Sequence, residues 1–440
     1  MNTNSSHQLP VMVWIHGGGY VGGSKNGNGI NIINTGILFV SINYRLGPFG
    51  FFSSEDSTIP GNFGMLDQIQ ALKWIQSNIA AFGGDPTSVT IFGGSAGSAS
   101  CSLHILSPLS KGLFHRAIME SGVGSTSRDV PPPSLPVTLK DVAQDVGRQL
   151  GCAQSSGPDF LTCLQSKDSG AFFDASMNAA HKDHSSGPFR PIVETTFGFL
   201  PDYPLKMISR GEISKVDTIR GFNSQEQGMA VHDMENDGIT RDEFRHLAQR
   251  ELSDFPYLDT NKYVQQMESL YLANITNPTD IRAKAIQMMS DFTFIGPIVR
   301  ETKLSRQSNP NSKSYLYNFN YRASDAHTPD WSGVLHGSEG QFVFGFNGFK
   351  HPSPSDQHVA DSMMSMWTNF AKFSDPTPSG ALHGNMIHWD QFYNDKPTYM
   401  SIEENLKLKM FNSPEQVGML NLFEAAVQEY LSAVDNAVVG

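Results

Sequence analysis

The chain has 440 residues, 39% hydrophobic and 17% charged, an ordinary globular balance, and no stretch approaches the ~18 continuous apolar residues of a membrane-spanning helix. Its 31 basic and 43 acidic residues leave a formal charge of -12, which repels phosphate backbones and argues against a nucleic-acid partner. Residues 1–440 are read as one large domain, because α/β enzymes of this length keep one sheet and carry the excess as insertions.

In chain order, the start MNTNSSHQLPVMVWIHGGGY lacks a basic region followed by an apolar core, so it is not a signal peptide. Its polar tail runs straight into Val11–Ile15, a continuous apolar run that reads as a fully buried parallel strand. A fold seldom begins on its most buried strand, and the expectation is that sequence is missing upstream. Further strands are predicted at Ile37–Asn43, Val89–Phe92 and Ala117–Met119, with helices at Met65–Ala80 and from Ala96 onward. This alternation is the rhythm of a parallel sheet covered on both faces. Within the first helix Leu66, Ile69, Leu72, Ile75 and Ile79 mark a core face, and FGGDP ends it.

Residues 130–186, with PPPSLP and two cysteines, read as excursions from the sheet. Residues 240–300 read as mainly helical, followed by strands at Tyr315–Phe319 and Thr398–Ile402. In the C-terminal LNLFEAAVQEYL, Leu422, Ala426 and Tyr430 and the neighbouring row Phe423, Val427 and Leu431 form an apolar face. Such a face docks on its own domain or on a second subunit, so the chain is a monomer or a homodimer through this helix. Cys152 and Cys163, 11 positions apart, either close a small loop or stay reduced, and spacing does not choose. Sequons at Asn4 and Asn274 fit a secretory route without establishing one.

The chemistry centres on TIFGGSAGSAS. Here G-x-S-x-G falls where a strand ends and a helix begins, the setting in which a tight turn lifts a serine above a sheet. The alternative is a glycine-rich turn that binds nothing or cradles a phosphate. A serine hydroxyl needs a base and donors for the oxyanion formed on attack. HGGGY, at 16–20, follows a strand, and its three glycines let backbone N–H groups converge on a substrate oxygen. Gly18 and Gly19 are the expected donors, with the N–H of Ala96 as the third.

The acid and then the histidine should follow the serine in chain order. Of the histidines at 181, 184, 232, 246, 327, 336, 351, 358, 383 and 388, most are expected on the surface. His336 stands out in the glycine-rich WSGVLHGSEGQFVFG. Glu226, in TIRGFNSQEQG, follows a strand-like segment at its end, where site residues of such sheets collect. Asp217, Asp233 and Glu194 read as solvated or capping charges.

These residues resemble the type-B carboxylesterase and cholinesterase family, a branch of the α/β-hydrolases that also contains non-catalytic adhesion proteins. The likeness runs through PVMVWIHGGGY, SINYRLGPFGFF, PGNFGMLDQIQALKWIQSNIAAFGGDPTSVTIFGGSAGSAS, HILSPLSKGLFHRAIMESG, FRPIVETTFGFLPDYP, GFNSQEQG, NYRASDAHTPDWSGVLHGSEGQFVFG and MWTNFAKFSDPTP. It implies an α/β-hydrolase fold, a mostly parallel sheet flanked by helices with helical insertions. It also implies a nucleophile at Ser95, an acid at Glu226, a histidine at His336, oxyanion donors at Gly18, Gly19 and Ala96, and a disulfide between Cys152 and Cys163. No metal or cofactor is implied, and the partner is a small carboxylic ester.

The chain departs from the family pattern in three places. The segment that precedes the HGGGY strand, with the secretion signal, is not present, so the chain looks N-terminally truncated. Gly94 stands where cholinesterases carry a glutamate, and Met229 and Ala230 where they place aromatics. The expectation is therefore a serine carboxylic-ester hydrolase working through an acyl-enzyme, a general carboxylesterase rather than a choline esterase, secreted or lumenal when full-length. Phe189, Phe197 and Phe199 are expected either along the acyl side or in the core. The rivals are an adhesion protein without catalysis and an inactive truncated product.

Overall fold

The structure is a computed structural model that describes every residue except 1–7, 28, 127–128, 132–137, 153–155, 181–188, 254, 256, 345–351, 381–385 and 440, and the side chains of 434–439. One eight-stranded sheet organises it. Its strands are β1 (Leu9–Ile15), β2 (Leu38–Ile42), β3 (Gly84–Gly94), β4 (Arg116–Glu120), β5 (Asp217–Asn223), β6 (Ser314–Phe319), β7 (Thr398–Ile402) and β8 (Lys407–Met410). They lie in the order β2-β1-β3-β4-β5-β6-β7-β8. Every neighbouring pair is parallel except the last, β7 with β8. With helices packed on it, this is the α/β-hydrolase type of sheet that the sequence implied.

Successive side chains divide between the two faces, as a period of two requires. Val11, Val13 and Ile15 of β1, Val89 and Ile91 of β3 and Ala117 and Met119 of β4 enter one core. Met12, Phe92 and Ile118 enter another on the far side. The first core is closed by the helices Phe63–Asn78 and Ala96–Leu106, the second by Pro354–Phe373. Ile69, Leu72, Ile75 and Ile79 are buried and Leu66 packs beside them, so the predicted stripe is core.

One strand begins earlier than the sequence suggests, and two elements lie where none is expected from it. β3 extends back to Gly84, through the polar GDPTS that reads as a turn, because Leu9 pairs with Gly84 across an irregularity in register. β8, LysLeuLysMet, has no buried face to betray it. It is held by antiparallel pairing to β7 and by Lys407 and Lys409 reaching Glu403 at 2.5 and 2.6 Å. The long helix Pro354–Phe373 begins on a capping box at Ser353 and Asp356, a start signal written in the local sequence.

The excursion between β4 and β5 contains helices Leu139–Leu150, Pro158–Gln165 and Ser169–Ala180. A disulfide joins Cys152 to Cys163, with Cα atoms 5.8 Å apart. Five helical segments fill 241–308, and the C-terminal helix Pro414–Val439 lies with them. Phe423, Ala426, Val427 and Tyr430 of that helix are buried in the same core as Phe244, Met267 and Phe292. The apolar face docks on its own chain. Among the described residues no helix is long and apolar enough to cross a membrane.

Candidate active site

Ser95 sits between the end of β3 and the first turn of the helix Ala96–Leu106, at φ 57° and ψ -127°. A non-glycine residue holds such a backbone only where its surroundings enforce it. Here the Ser95 N–H donates to the carbonyl of Glu120 at 2.8 Å, and its own carbonyl accepts from Ala99 at 2.9 Å. The flanking glycines have unequal reasons to be glycine. A Cβ at Gly93 would lie 2.5 Å from the Ile15 carbonyl oxygen, and one at Gly97 only 2.0 Å from it. A Cβ at Gly94 would meet nothing closer than 3.7 Å.

The HGGGY loop packs directly on this turn. A Cβ at Gly17 would fall 2.4 Å from the Gly94 carbonyl oxygen, so the first glycine is required by the approach of two backbones. Gly18 and Gly19 adopt φ values of 114° and 60°, open to glycine. Val21 and Gly22 donate to the Gly18 carbonyl, which folds the loop back on itself. Tyr44 donates to the His16 carbonyl at 2.8 Å and its ring stacks on the His16 imidazole, fixing the base of the loop.

Glu226 and His336 come from the loops after β5 and β6, and the structure brings them together. His336 Nδ1 lies 2.7 Å from Glu226 Oε2. The other oxygen, Oε1, accepts the Asn223 N–H at 2.6 Å, and the Glu226 side chain is fully buried. With Nδ1–H donated to the carboxylate, the imidazole keeps Nε2 as an acceptor. The Phe294 ring packs on the other side of His336, with centroids 4.7 Å apart.

Ser95, Ala96, Gly19, Glu226 and His336 all line one cavity of ≈ 310 Å³. Gly18 is not among its lining residues. The rest of the wall is Tyr20, Ser121, Gly122, Val123, Thr126, Asp129, Arg190, Gln227, Thr293, Phe294 and Ile298. Thr293 and Phe294 belong to a π-helical turn, Asp291–Ile295, that interrupts two α-helices; such turns recur at functional sites. Nothing in the DFTFIG sequence announces it.

Of the two places open to Phe189, Phe197 and Phe199, the described cavity wall includes none of them. Phe189 and Phe199 are in the core, and Phe197 is half-exposed against Phe63. From that segment Arg190 reaches the cavity instead.

The remaining carboxylates weighed from the sequence hold local structure. Glu194 accepts the backbone N–H groups of Phe197, Gly198 and Phe199, capping a turn. Asp217 accepts from the Lys313 N–H, and Asp233 is paired with Arg282. His232, His246, His327 and His388 are exposed and His358 is half-buried. His181, His184, His351 and His383 lie outside the described residues, as does Asn4.

Two further glutamates, not among the residues expected from the sequence, stand behind the Glu226–His336 pair. Glu339, buried, accepts from Ser121 Oγ at 3.0 Å and from Asn223 Nδ2 at 2.5 Å. Glu120, also buried, accepts from Trp367 Nε1 at 2.7 Å. Burial, then the nearby charge of Glu226, holds the Glu339 carboxyl above the usual range. Glu339 is three residues from His336, so its place in HGSEG was a signal available in the sequence.

Comparison with known proteins adds an independent line. The sequence profile described as "Carboxylesterase family" matches residues 1–419. Liver carboxylesterase of Sus scrofa is 33% identical over 429 residues, 94% of this chain and 73% of that protein. Cocaine esterase of Oryctolagus cuniculus is 33% identical over 418 residues, 91% of this chain and 74% of that protein. Acetylcholinesterase of Bungarus fasciatus is 32% identical over 410 residues, 89% of this chain and 65% of that protein.

Proposed function

The chain belongs to the carboxylesterase family and is a serine carboxylic-ester hydrolase, and on that premise we propose that Ser95, His336 and Glu226 carry its reaction. The observation that bears most weight is the 2.7 Å contact of His336 with Glu226 beside the cavity that Ser95 also lines. His336 Nε2 takes the proton of Ser95 Oγ as that oxygen attacks the ester carbonyl. Glu226 fixes the imidazole orientation and stabilises the imidazolium. The backbone N–H groups of Gly18, Gly19 and Ala96 receive the oxyanion. The imidazolium then protonates the departing alkoxide, leaving Ser95 acylated. Water, deprotonated by His336, attacks the acyl carbon, and as the acid leaves the imidazolium returns its proton to Ser95 Oγ.

The substrate is an ordinary neutral ester. Gly94 leaves the elbow without the carboxylate that would attract a choline head group, and no aromatic follows Glu226, where Met229 and Ala230 stand. The chain acts as one domain built on its single sheet. Its C-terminal apolar face is spent internally, which favours a monomer over a dimer through that helix. The disulfide supports a secretory compartment, and Asn274 is exposed enough to carry a glycan. Hydrolysis of a p-nitrophenyl ester by the parent and by Ser95→Ala tests the reading. Loss of at least ~10³-fold in kcat supports it, and unchanged turnover rejects it.

A further inference from the structure

Three buried carboxyl groups crowd the back of the site, and their donors are unequally shared. Glu226 has two partners, His336 Nδ1 and the Asn223 N–H. Glu339 has two, Ser121 Oγ and Asn223 Nδ2. Glu120 has one, Trp367 Nε1 on Oε1. Its Oε2 faces the position where Gly94 has no side chain, 3.8 Å from where a Cβ would stand. An ionised carboxyl accepts only, so among buried neighbours the one with the fewest donors is the place where a proton settles.

We propose that Glu120 carries the one proton held among these carboxyls at neutral pH, and that Glu339, left as an anion, is a positioning residue acting on His336 through Asn223 and Glu226. The proposal rests on the reading of Ser95, His336 and Glu226 as the triad. Asn223 is the mechanical link. Its N–H holds Glu226 Oε1, and its Nδ2 bridges Glu339 Oε2 and the carbonyl of Leu335, the residue before His336. Glu339 thus fixes the strand end that aims both triad partners, and its charge favours the imidazolium over the neutral ring.

The groups around Glu120 agree with that assignment. From the neighbouring elements it is faced by Glu339, by Trp367 of the helix Pro354–Phe373, by Cys101 of the helix Ala96–Leu106 and by Tyr317 of β6. None of these is a cation. Burial and then the charge of Glu339 push Glu120 up to about 8, with the Trp367 bond opposing. Gly94 completes the arrangement, because a carboxylate there would meet Glu120 Oε2 directly.

The test is the pH profile of kcat/KM for Glu339→Gln and Glu120→Gln, with fluorophosphonate labelling of Ser95 as a control. Removing the Glu339 charge weakens the imidazolium, so Glu339→Gln moves the acidic limb down by about half to one pH unit. Ser121→Ala, which strips one donor from Glu339, gives a smaller shift in the same direction and serves if the first variant does not fold. Glu120→Gln imitates the protonated acid. It is expected to keep the acidic limb of the parent and to abolish the fall in kcat/KM that the proposal predicts for the parent near pH 8, where a third charge forces the carboxyls apart. An acidic limb unmoved in both Glu339→Gln and Ser121→Ala, with Ser95 labelled normally, overturns the role of Glu339. A fall near pH 8 that persists in Glu120→Gln overturns the placement of the proton. Failure of Ser95 to label in the parent would instead reject the triad.

Discussion

A Cβ on Gly97 would lie 2.0 Å from the carbonyl oxygen of Ile15, so the turn at Ser95 and β1 meet backbone to backbone. The two flanking positions of the elbow therefore respond differently to the same change. Gly97→Ala must push β1 and the helix Ala96–Leu106 apart and should cost more than ~3 kcal/mol, with loss of esterase activity. Gly94→Ala meets only ordinary contacts, nearest at 3.7 Å, and should change stability by less than ~1 kcal/mol. Chemical denaturation of both variants measures this, and equal costs would contradict the packing argument.

Acid sensitivity has a named source in His104. Its ring is buried, with Nε2 2.8 Å from Gln68 Oε1 and Nδ1 2.8 Å from Ser110 Oγ, and burial pulls its pKa down to about 3 from an ordinary value of 6.5. The folded chain holds it neutral, whereas the unfolded chain protonates it below 6.5. Its contribution is therefore complete above pH 6.5 and is lost as pH falls toward 3, at ~1.4 kcal/mol per pH unit. Between pH 6 and pH 4 the stability gap between the parent and His104→Gln should shrink at about that rate. A constant gap would count against a neutral His104.

The disulfide closes a short loop, and its removal should cost about 2–3 kcal/mol through the freed unfolded chain. Cys152→Ser/Cys163→Ser together should lower Tm while kcat/KM at 25 °C stays within about twofold, because neither cysteine lines the cavity at Ser95. A large fall in kcat/KM at unchanged Tm would show that the excursion Leu139–Ala180 shapes the site rather than supporting it.

Selectivity follows from Gly94. A neutral butyl ester should be hydrolysed with a kcat/KM at least about tenfold above its choline counterpart, since a missing charge–charge or cation–π contact is worth on the order of 1–2 kcal/mol. Matched acyl groups isolate the alcohol side. Preference for the choline ester would mean that other residues, such as Asp129 in the cavity wall, supply the attraction.

Much of this was legible in the sequence for physical reasons. Buried parallel strands betray themselves as apolar runs, so Val11–Ile15 marks β1 except for its first two residues. The glycine-flanked turn at Ser95, the glycines of HGGGY and the settings of Glu226 and His336 are local patterns in the sequence, and the fold brings Ser95, Gly19, Glu226 and His336 to one cavity. What escaped depends on the third dimension. β8 is charged and exists only because β7 offers an edge. The π turn that presents Thr293 and Phe294 follows from no local signal, and Arg190 enters the cavity while its aromatic neighbours turn into the core. Glu120 and Glu339 are ordinary glutamates until the fold buries both beside Glu226.

The central claim is that Ser95 is the nucleophile of an acyl-enzyme mechanism. Its most direct test is mass spectrometry of the folded chain after reaction with a fluorophosphonate. The account predicts one adduct per chain, on Ser95, absent from Ser95→Ala and slowed by about a thousandfold or more in His336→Ala, in step with ester turnover. An adduct on another residue, or ester turnover that survives in Ser95→Ala, would contradict it.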